Sequence, residues 1–346
     1  MMETFLGIDY PTLWYLVVGL LFSGYAILEG FDYGAGAWHL FFRKDLSRRI
    51  AINAIGPLWD ANQVWLIIGG GALFAGFPVM YATMLSAMYI PFMLFLMLLV
   101  LRSAAIKFRS SEEMTWWRKT WDIVYFVSNT LIGFLLGVVL GNILQGFELH
   151  ANFEYRGGIF FTFLNPYALM TGLTTLSIFM TQGAIFLLLK TEGKLHDRLS
   201  YLLKKGMVFF IISFAITSLY TLTFLHGVTD KFKEQPIFFL LPVLAFLAVA
   251  NVPRLVSQKR YAHALVFSSL IMAFLLMLVA FQLYPVLLPS TIDLEYSVTI
   301  YNAASSQKSL GIMLTIVLIG APLLAGYFLF LYKTFHGKVK LDDTSY

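Results

Sequence analysis

Long apolar stretches constrain this chain more than any other feature of its sequence. Each is close to the length of about 20 residues that an α-helix needs to cross a bilayer. We place nine of them, at residues 12–41, 50–73, 79–101, 122–146, 160–189, 206–227, 237–255, 262–284 and 310–332. Only 12% of the residues are charged, roughly half of the share that is usual in soluble domains. The sequence therefore predicts an all-α polytopic membrane protein with about nine transmembrane helices.

The basic residues are distributed unevenly over the loops between these stretches. When the loops are taken alternately, one set holds twenty Lys and Arg and the other set holds four. Because cytoplasmic loops carry the excess of positive charge, we expect the N-terminus outside and the C-terminus in the cytoplasm. The whole chain, 1–346, is interpreted as one transmembrane domain. Within it, two pseudo-repeated four-helix bundles (spans 1–4 and 5–8) plus a ninth helix are an open arrangement.

The residue types exclude several classes of site. The chain has no cysteine, which excludes disulfides, iron–sulfur clusters and cysteine nucleophiles. All six histidines lie at or beyond the ends of the predicted spans, so none is placed in mid-membrane for a bis-histidine heme site. The first apolar run follows acidic residues, unlike a cleaved signal peptide. Since the net charge of +5 follows the membrane loops, no nucleic-acid partner is expected.

Three acidic residues lie inside the predicted spans, where a charge costs at least about 2.5–3.5 kcal/mol. Glu29 and Asp32 in span one are three residues apart and so share one helix face. Asp60 lies in span two. Counted along the helices, Asp32 and Asp60 should each lie roughly 16 Å from the basic loop between the spans. The three carboxylates are therefore expected at neighbouring depths.

Two interpretations of these carboxylates remain open. Desolvation favours the protonated form of a carboxyl, and a group that is protonated part of the time can relay protons. Alternatively, the carboxylates only join helices through hydrogen bonds to neighbours such as Asn62. We prefer the relay for Asp60, whereas both interpretations stand for Glu29 and Asp32.

The remaining features indicate packing or membrane contact. The glycines of GFDYGAG, at 30–36, are expected to let helices approach closely. Pro57 is expected to bend span two and to aim Trp59 and Asp60 inward. Arg102, at the end of span three, is expected to reach the membrane surface and to pair there with an anionic cofactor group or a lipid head. The segment 109–122, with three tryptophans, indicates an interfacial stretch.

Several motifs carry a family resemblance. They are GFDYGAG (30–36), GPLWDANQVWLIIGGGALFAGFPVMYA (56–82), GNILQG (141–146), LNPYALMTGL (164–173) and SSQKSL (305–310). With these motifs the chain resembles subunit II of the cytochrome bd quinol oxidases along nearly its whole length. It departs from the family pattern at Ala61, where that family has glycine.

The resemblance implies a function, cofactors and partners. Such a heterodimer oxidises quinol and reduces dioxygen to water in the bacterial cytoplasmic (inner) membrane. Subunit I holds heme b and heme d, and subunit II packs against it; a structural quinone, bound lipid and a small accessory membrane subunit are compatible with the family. By this resemblance Asp60 and Trp59 match positions on a cytoplasmic proton path, Asp32 matches an acidic position near it, and Trp65 lies by an oxygen route.

A proton- or ion-coupled secondary transporter is the alternative function. In that case Glu29, Asp32 and Asp60 would bind the coupled ion. Purification would separate the two functions, because the oxidase carries heme and a second large membrane chain, whereas a transporter is colourless and binds its solute.

Overall fold

The computed structural model describes residues 4–158, 160–225 and 230–341, most of them helical. In chain order, the α-helices of these residues are α1 (Tyr10–Ala37), α2 (Asp45–Ile55), α3 (Trp59–Gly76), α4 (Pro78–Ala87), α5 (Tyr89–Phe108), α6 (Thr115–Gln145), α7 (Pro166–Lys190), α8 (Gly193–Phe224), α9 (Asp230–Glu234), α10 (Leu240–Ser257), α11 (Tyr261–Leu283) and α12 (Gln307–Thr334). Two short antiparallel strand pairs join β1 (Thr4–Phe5) to β2 (Ile8–Asp9), and β3 (Val286–Leu288) to β4 (Val298–Thr299).

Eight of these helices are long and apolar enough to cross a membrane. They are α1, α5, α6, α7, α8, α10, α11 and α12. The helices α3 and α4 meet the same criterion only as a pair, and they are bent by 116° where they join. If this pair is one span, the described residues hold nine. The prediction of an all-α membrane protein with about nine spans is confirmed.

Two of the predicted spans are interrupted by a break in the helix. Span two, predicted at 50–73, is divided, because α2 ends at Ile55 and α3 begins at Trp59. Pro57 lies in this break and has no N–H to continue the helix. Span three, predicted at 79–101, is also divided: 78–87 form α4, and α5 begins at Tyr89. Apolar composition could not show these breaks, since apolar residues lie directly on both sides of each break.

Helix α1 lies at the centre of the bundle and contacts α3, α6, α7 and α11. The Asp9 side chain caps its start by accepting a hydrogen bond from the Thr12 N–H at 3.0 Å. In its second half, a Cβ on Gly34 would clash with the carbonyl of Phe179, and a Cβ on Gly183 would clash with the backbone of α1. The glycines therefore let α1 and α7 pack backbone against backbone, which confirms the packing role predicted for GFDYGAG.

The buried apolar residues form two clusters. The larger surrounds the second half of α1 and includes Phe31 and Phe186, whose rings stack with centroids 4.1 Å apart. The smaller includes Trp14, whose indole N–H donates to the Leu310 carbonyl at 3.0 Å and joins α1 to α12. The buried charged groups near the second half of α1 lie beside the larger cluster.

The direction in which the chain crosses the membrane stays a prediction, and reporter fusions test it. Because the basic residues divide twenty to four, a reporter fused after Tyr346 is expected in the cytoplasm and one inserted beside Lys231 outside. A pair of reporters, one active only in the cytoplasm and one only outside it, measures both positions. Finding the two sites on the same side of the membrane would contradict this topology.

Candidate functional site

Two acidic side chains and one basic side chain meet in the interior of the bundle. Glu29 and Asp32 come from α1 and Arg102 from α5, and all three side chains are fully buried. The guanidinium Nη1 lies 2.8 Å from Glu29 Oε2, and Nη2 lies 3.7 Å from Asp32 Oδ2. The spacing of three residues does place both carboxylates on one face of α1, as the sequence predicted. We call Glu29, Asp32 and Arg102 the buried ion cluster.

Polar side chains from α3 and α12 hold this cluster in place. Asn62 donates a hydrogen bond from Nδ2 to Asp32 Oδ2 at 2.9 Å. The Tyr332 hydroxyl donates to Asn62 Oδ1 at 3.0 Å, so the Asn62 amide is fixed from both ends. Gln63, the next residue of α3, accepts from Arg102 Nη1 at 3.3 Å. Four helices therefore fix the position of one guanidinium and two carboxylates.

Aromatic rings enclose the guanidinium. The Arg102 Cζ atom lies 4.6 Å from the centroid of the Tyr33 ring and 6.0 Å from that of Trp59. The Tyr33 hydroxyl shares a 2.6 Å hydrogen bond with the Tyr25 hydroxyl. Rings over a cation add to its stabilisation, and their exclusion of water strengthens the interactions among the remaining charges.

Several polar atoms of the cluster have no hydrogen-bond partner within the described residues. They include Glu29 Oε1, Asp32 Oδ1 and both Nε and Nη2 of Arg102. Glu29 Oε2 also lacks a partner with hydrogen-bond geometry, although it is 2.8 Å from Arg102. That contact is therefore an ion pair with poorly aligned hydrogen-bond geometry. A buried polar atom without a partner costs free energy, so a proton bound at these atoms would gain a hydrogen bond.

The prediction for Arg102 was wrong. We expected it to reach a lipid head or an anionic cofactor group at the membrane surface, but its side chain is fully buried against Glu29. Helix α5 continues to Phe108, well beyond the predicted end of span three at 101. Arg102 therefore lies within the helix rather than at its end, and its anionic partners are in this chain.

The predicted depth of Asp60 required one continuous helix from residue 50. That helix is interrupted, because Asp60 lies in the first turn of α3, just after the break, so its depth stays a prediction. Its side chain is exposed on this chain, so the prediction that it points inward was wrong, whereas the neighbouring Trp59 is buried, as predicted. Asp60 still lies within electrostatic range of Glu29. It is thus a surface carboxylate beside the buried ion cluster and not a member of it.

Trp65 lies one and a half turns further along α3 than Asp60. Its ring lies 5.5 Å from the ring of Phe328 on α12 and packs closely over Gly24 on α1. Its indole Nε1 is buried without a partner. These contacts describe a packed aromatic side chain, and the role of Trp65 by an oxygen route stays a prediction.

A second buried charge cluster was missed by the sequence analysis. Asp122, at the start of α6, pairs with Arg48 at 2.9 Å and with Arg109 at 2.6 Å, and the same carboxylate contacts His39 at 2.5 Å. The sequence signal was the lone acidic residue at the start of a long apolar run, which we assigned to an interfacial stretch. Trp116 in that stretch is exposed, whereas Asp122 is buried.

The histidines bear on whether this chain could ligate heme. Among the described residues His39 is the one that is buried, and its Nε2 is already bonded to Asp122. His150 and His196 are partly exposed, and His263 and His336 are exposed; His226 lies outside the described residues. The Nδ1 atom of His39 is buried without a hydrogen-bond partner, but no second described histidine is buried beside it, as a bis-histidine heme site would require.

A family model matches nearly the whole chain. The model describes subunit II of the cytochrome bd terminal oxidases, and it covers residues 10–335. Its match includes both buried charge clusters and Asp60.

Individual proteins agree with this match. The chain is 32% identical to the cytochrome bd-I ubiquinol oxidase subunit 2 of Escherichia coli, over 97% of each chain. It is 33% identical to the cytochrome bd ubiquinol oxidase subunit 2 of Bacillus subtilis, over 94% of this chain and 96% of the other. A chain of the solved bd oxidase of Geobacillus thermodenitrificans has the same fold, with a TM-score of 0.78 over 94% of this chain and 98% of that one, at 20% identity.

Proposed function

The chain belongs to the family of cytochrome bd terminal oxidase subunit II, and from this premise we propose that it delivers protons from the cytoplasm to a heme-bearing partner subunit. The chain is one subunit of a quinol oxidase and a multi-pass membrane protein. The comparisons give no support to the alternative of a secondary transporter. By this proposal the chain lies in the bacterial cytoplasmic membrane.

The observation that carries the proposal is the buried ion cluster. Taking charges out of water is costly, and a buried ion pair is weak evidence of a purely stabilising role, since well-packed apolar side chains often stabilise as much. Buried carboxylates beside unpartnered polar atoms are instead typical of groups that gain and lose protons. The chain thus places titratable groups where an inert anchor would need none.

We assign the individual residues as follows. Asp60, exposed on this chain and near Glu29, is the group through which protons pass between this chain and its surroundings. Glu29 and Asp32 continue the proton path inside the bundle, and the buried Trp59 forms part of its wall. Trp65 is proposed to line a route for dioxygen.

The cofactors belong to the partner in this proposal. No two described histidines are buried together, and the family resemblance places the hemes in the partner, so heme b and heme d are assigned to subunit I, where they would supply electron transfer from quinol to dioxygen. The residues of this chain bind and release the protons that water formation consumes. Quinol, lipid, a structural quinone and a small accessory subunit are further partners that the family resemblance suggests.

Purification of the tagged chain from its native membrane tests the proposal. We expect it to copurify with a second large membrane chain and with a visible heme spectrum, because the hemes are assigned to that partner and the described histidines form no buried pair. The matched control is the chain expressed without its partner, which should be colourless. A chain that purifies alone from its native membrane, without heme and with a bound solute, would contradict the proposal.

A further inference from the structure

The buried ion cluster contains more acidic than basic groups. The titratable and polar side chains that face it come from five helices: Tyr25, Glu29, Asp32 and Tyr33 on α1, Asp60, Asn62 and Gln63 on α3, Arg102 on α5, Tyr125 on α6 and Tyr332 on α12. Arg102 is the single base among these described groups. If Glu29 and Asp32 were both ionised, the fully buried cluster would carry one uncompensated negative charge.

Such a charge is too costly to keep. Moving an ion into a protein interior costs several kcal/mol even after relaxation, and a buried group that lacks a counter-ion becomes neutral instead. Asp60 cannot change this balance, because it is itself acidic and lies at the surface of the chain. One proton must therefore be bound between Glu29 and Asp32.

The unpartnered oxygens show where this proton fits. Glu29 Oε1 and Asp32 Oδ1 are both buried without a hydrogen-bond partner. The two side chains are three residues apart on α1 and so are neighbours on one face. A proton bound at Asp32 Oδ1 makes that oxygen a donor, and Glu29 Oε1 is an unpartnered acceptor on the same helix face. One added proton also balances the charge of the cluster.

The distances to Arg102 decide which carboxyl binds it. Glu29 is the closer counter-ion, at 2.8 Å against 3.7 Å for Asp32. Asn62 donates to Asp32 Oδ2, which leaves Oδ1 to bear the proton. We propose that Asp32 stores one proton in the resting protein, bonded to Oδ1 and donated to Glu29 Oε1, while Glu29 stays ionised against Arg102.

This inference rests on the proposed function and gives the two carboxylates different roles. During turnover the O–H bond of Asp32 breaks and its proton leaves toward the partner subunit. A proton from the cytoplasmic side then restores the bond. Each cycle therefore takes up one proton and releases one, while the charge of Glu29 and Arg102 does not change.

Infrared spectroscopy of the assembled complex tests whether the proton is stored. A protonated carboxylic acid has a deuterium-sensitive carbonyl band that a carboxylate lacks. We expect one such band in the resting wild-type complex to be lost in Asp32→Asn and to persist in Glu154→Gln, a matched change at an exposed carboxylate. A band that is unchanged in Asp32→Asn would overturn the inference.

The melting temperatures of two variants of the complex show which carboxyl binds the proton. Asn resembles a protonated Asp, so Asp32→Asn should leave the melting temperature of the complex unchanged, whereas Glu29→Gln removes the counter-ion of Arg102 and should lower it. The reverse order would overturn the assignment to Asp32.

Oxygen uptake separates this inference from the proposed function. If Asp32→Asn loses the infrared band but keeps full oxygen uptake, the proposal of proton delivery is contradicted and the stored proton is supported. If Asp32→Asn lowers oxygen uptake but keeps the infrared band, only the inference of a stored proton is contradicted.

Discussion

Replacement of Arg102 by Gln is expected to prevent stable assembly of the chain with its partner subunit. The guanidinium is fully buried and lies 2.8 Å from Glu29 and 3.7 Å from Asp32. Removing one member of a buried ion pair leaves the other charge uncompensated and costs about 3–5 kcal/mol. That is a large part of the roughly 5–15 kcal/mol by which a typical protein is stable. The yield of complex in mild detergent and its melting temperature measure the effect.

Matched variants separate the charge of Arg102 from its shape. Arg102→Lys keeps the charge but loses the planar group that faces Glu29 and Tyr33, so an intermediate loss is expected. Arg156→Gln is the surface control, since Arg156 and its partner Glu154 are both more than half exposed and exposed pairs contribute little.

The double variant Arg102→Gln with Glu29→Gln is expected to recover much of the stability. It removes both charges together, and a protonated Asp32 leaves no charge behind. Coupling of this kind between contacting residues is what a double-mutant cycle measures. An Arg102→Gln complex that is as stable as the wild type would show that the ion pair does not matter for assembly.

Much of the fold could be predicted because a membrane span must be long and apolar to satisfy its backbone within lipid. This requirement marks α1, α6, α7 and α12 clearly in the sequence. The boundaries around α2, α3 and α4 could not be predicted, because they depend on bends at 56–58 and 77 inside continuously apolar sequence. A proline such as Pro57 marks a candidate break but not whether the helix ends there.

The site was predictable only where its geometry is local. Glu29 and Asp32 share a face because of their spacing along one helix. Their pairing with Arg102 joins α1 to α5 and depends on how the two helices pack, which spacing within either helix does not determine. The same holds for Asp122, whose partners come from three other segments. Sequence reasoning found the acidic half of the buried ion cluster and missed its base.

Replacement of Asp60 by Asn is expected to lower quinol-driven oxygen uptake at least about tenfold, equivalent to about 1.4 kcal/mol in activation free energy. Asn preserves the size of the side chain and much of its hydrogen bonding, but it cannot bind and release a proton. Asp60 is exposed on this chain, and it lies within electrostatic range of Glu29. Protons that reach the buried ion cluster through Asp60 would therefore lose their entry, while assembly and heme content should not change.

The measurement is oxygen uptake by the purified complex, with heme content determined on the same sample. Asp293→Asn is the matched control, because Asp293 is an exposed carboxylate on the loop between β3 and β4, far along the chain from the cluster. Asn can still cap the turn that Asp293 caps by accepting from the Glu295 N–H. Full uptake in Asp60→Asn would exclude Asp60 as the proton entry. Loss of heme together with uptake would instead assign Asp60 to assembly, because a residue that only relays protons leaves the hemes bound.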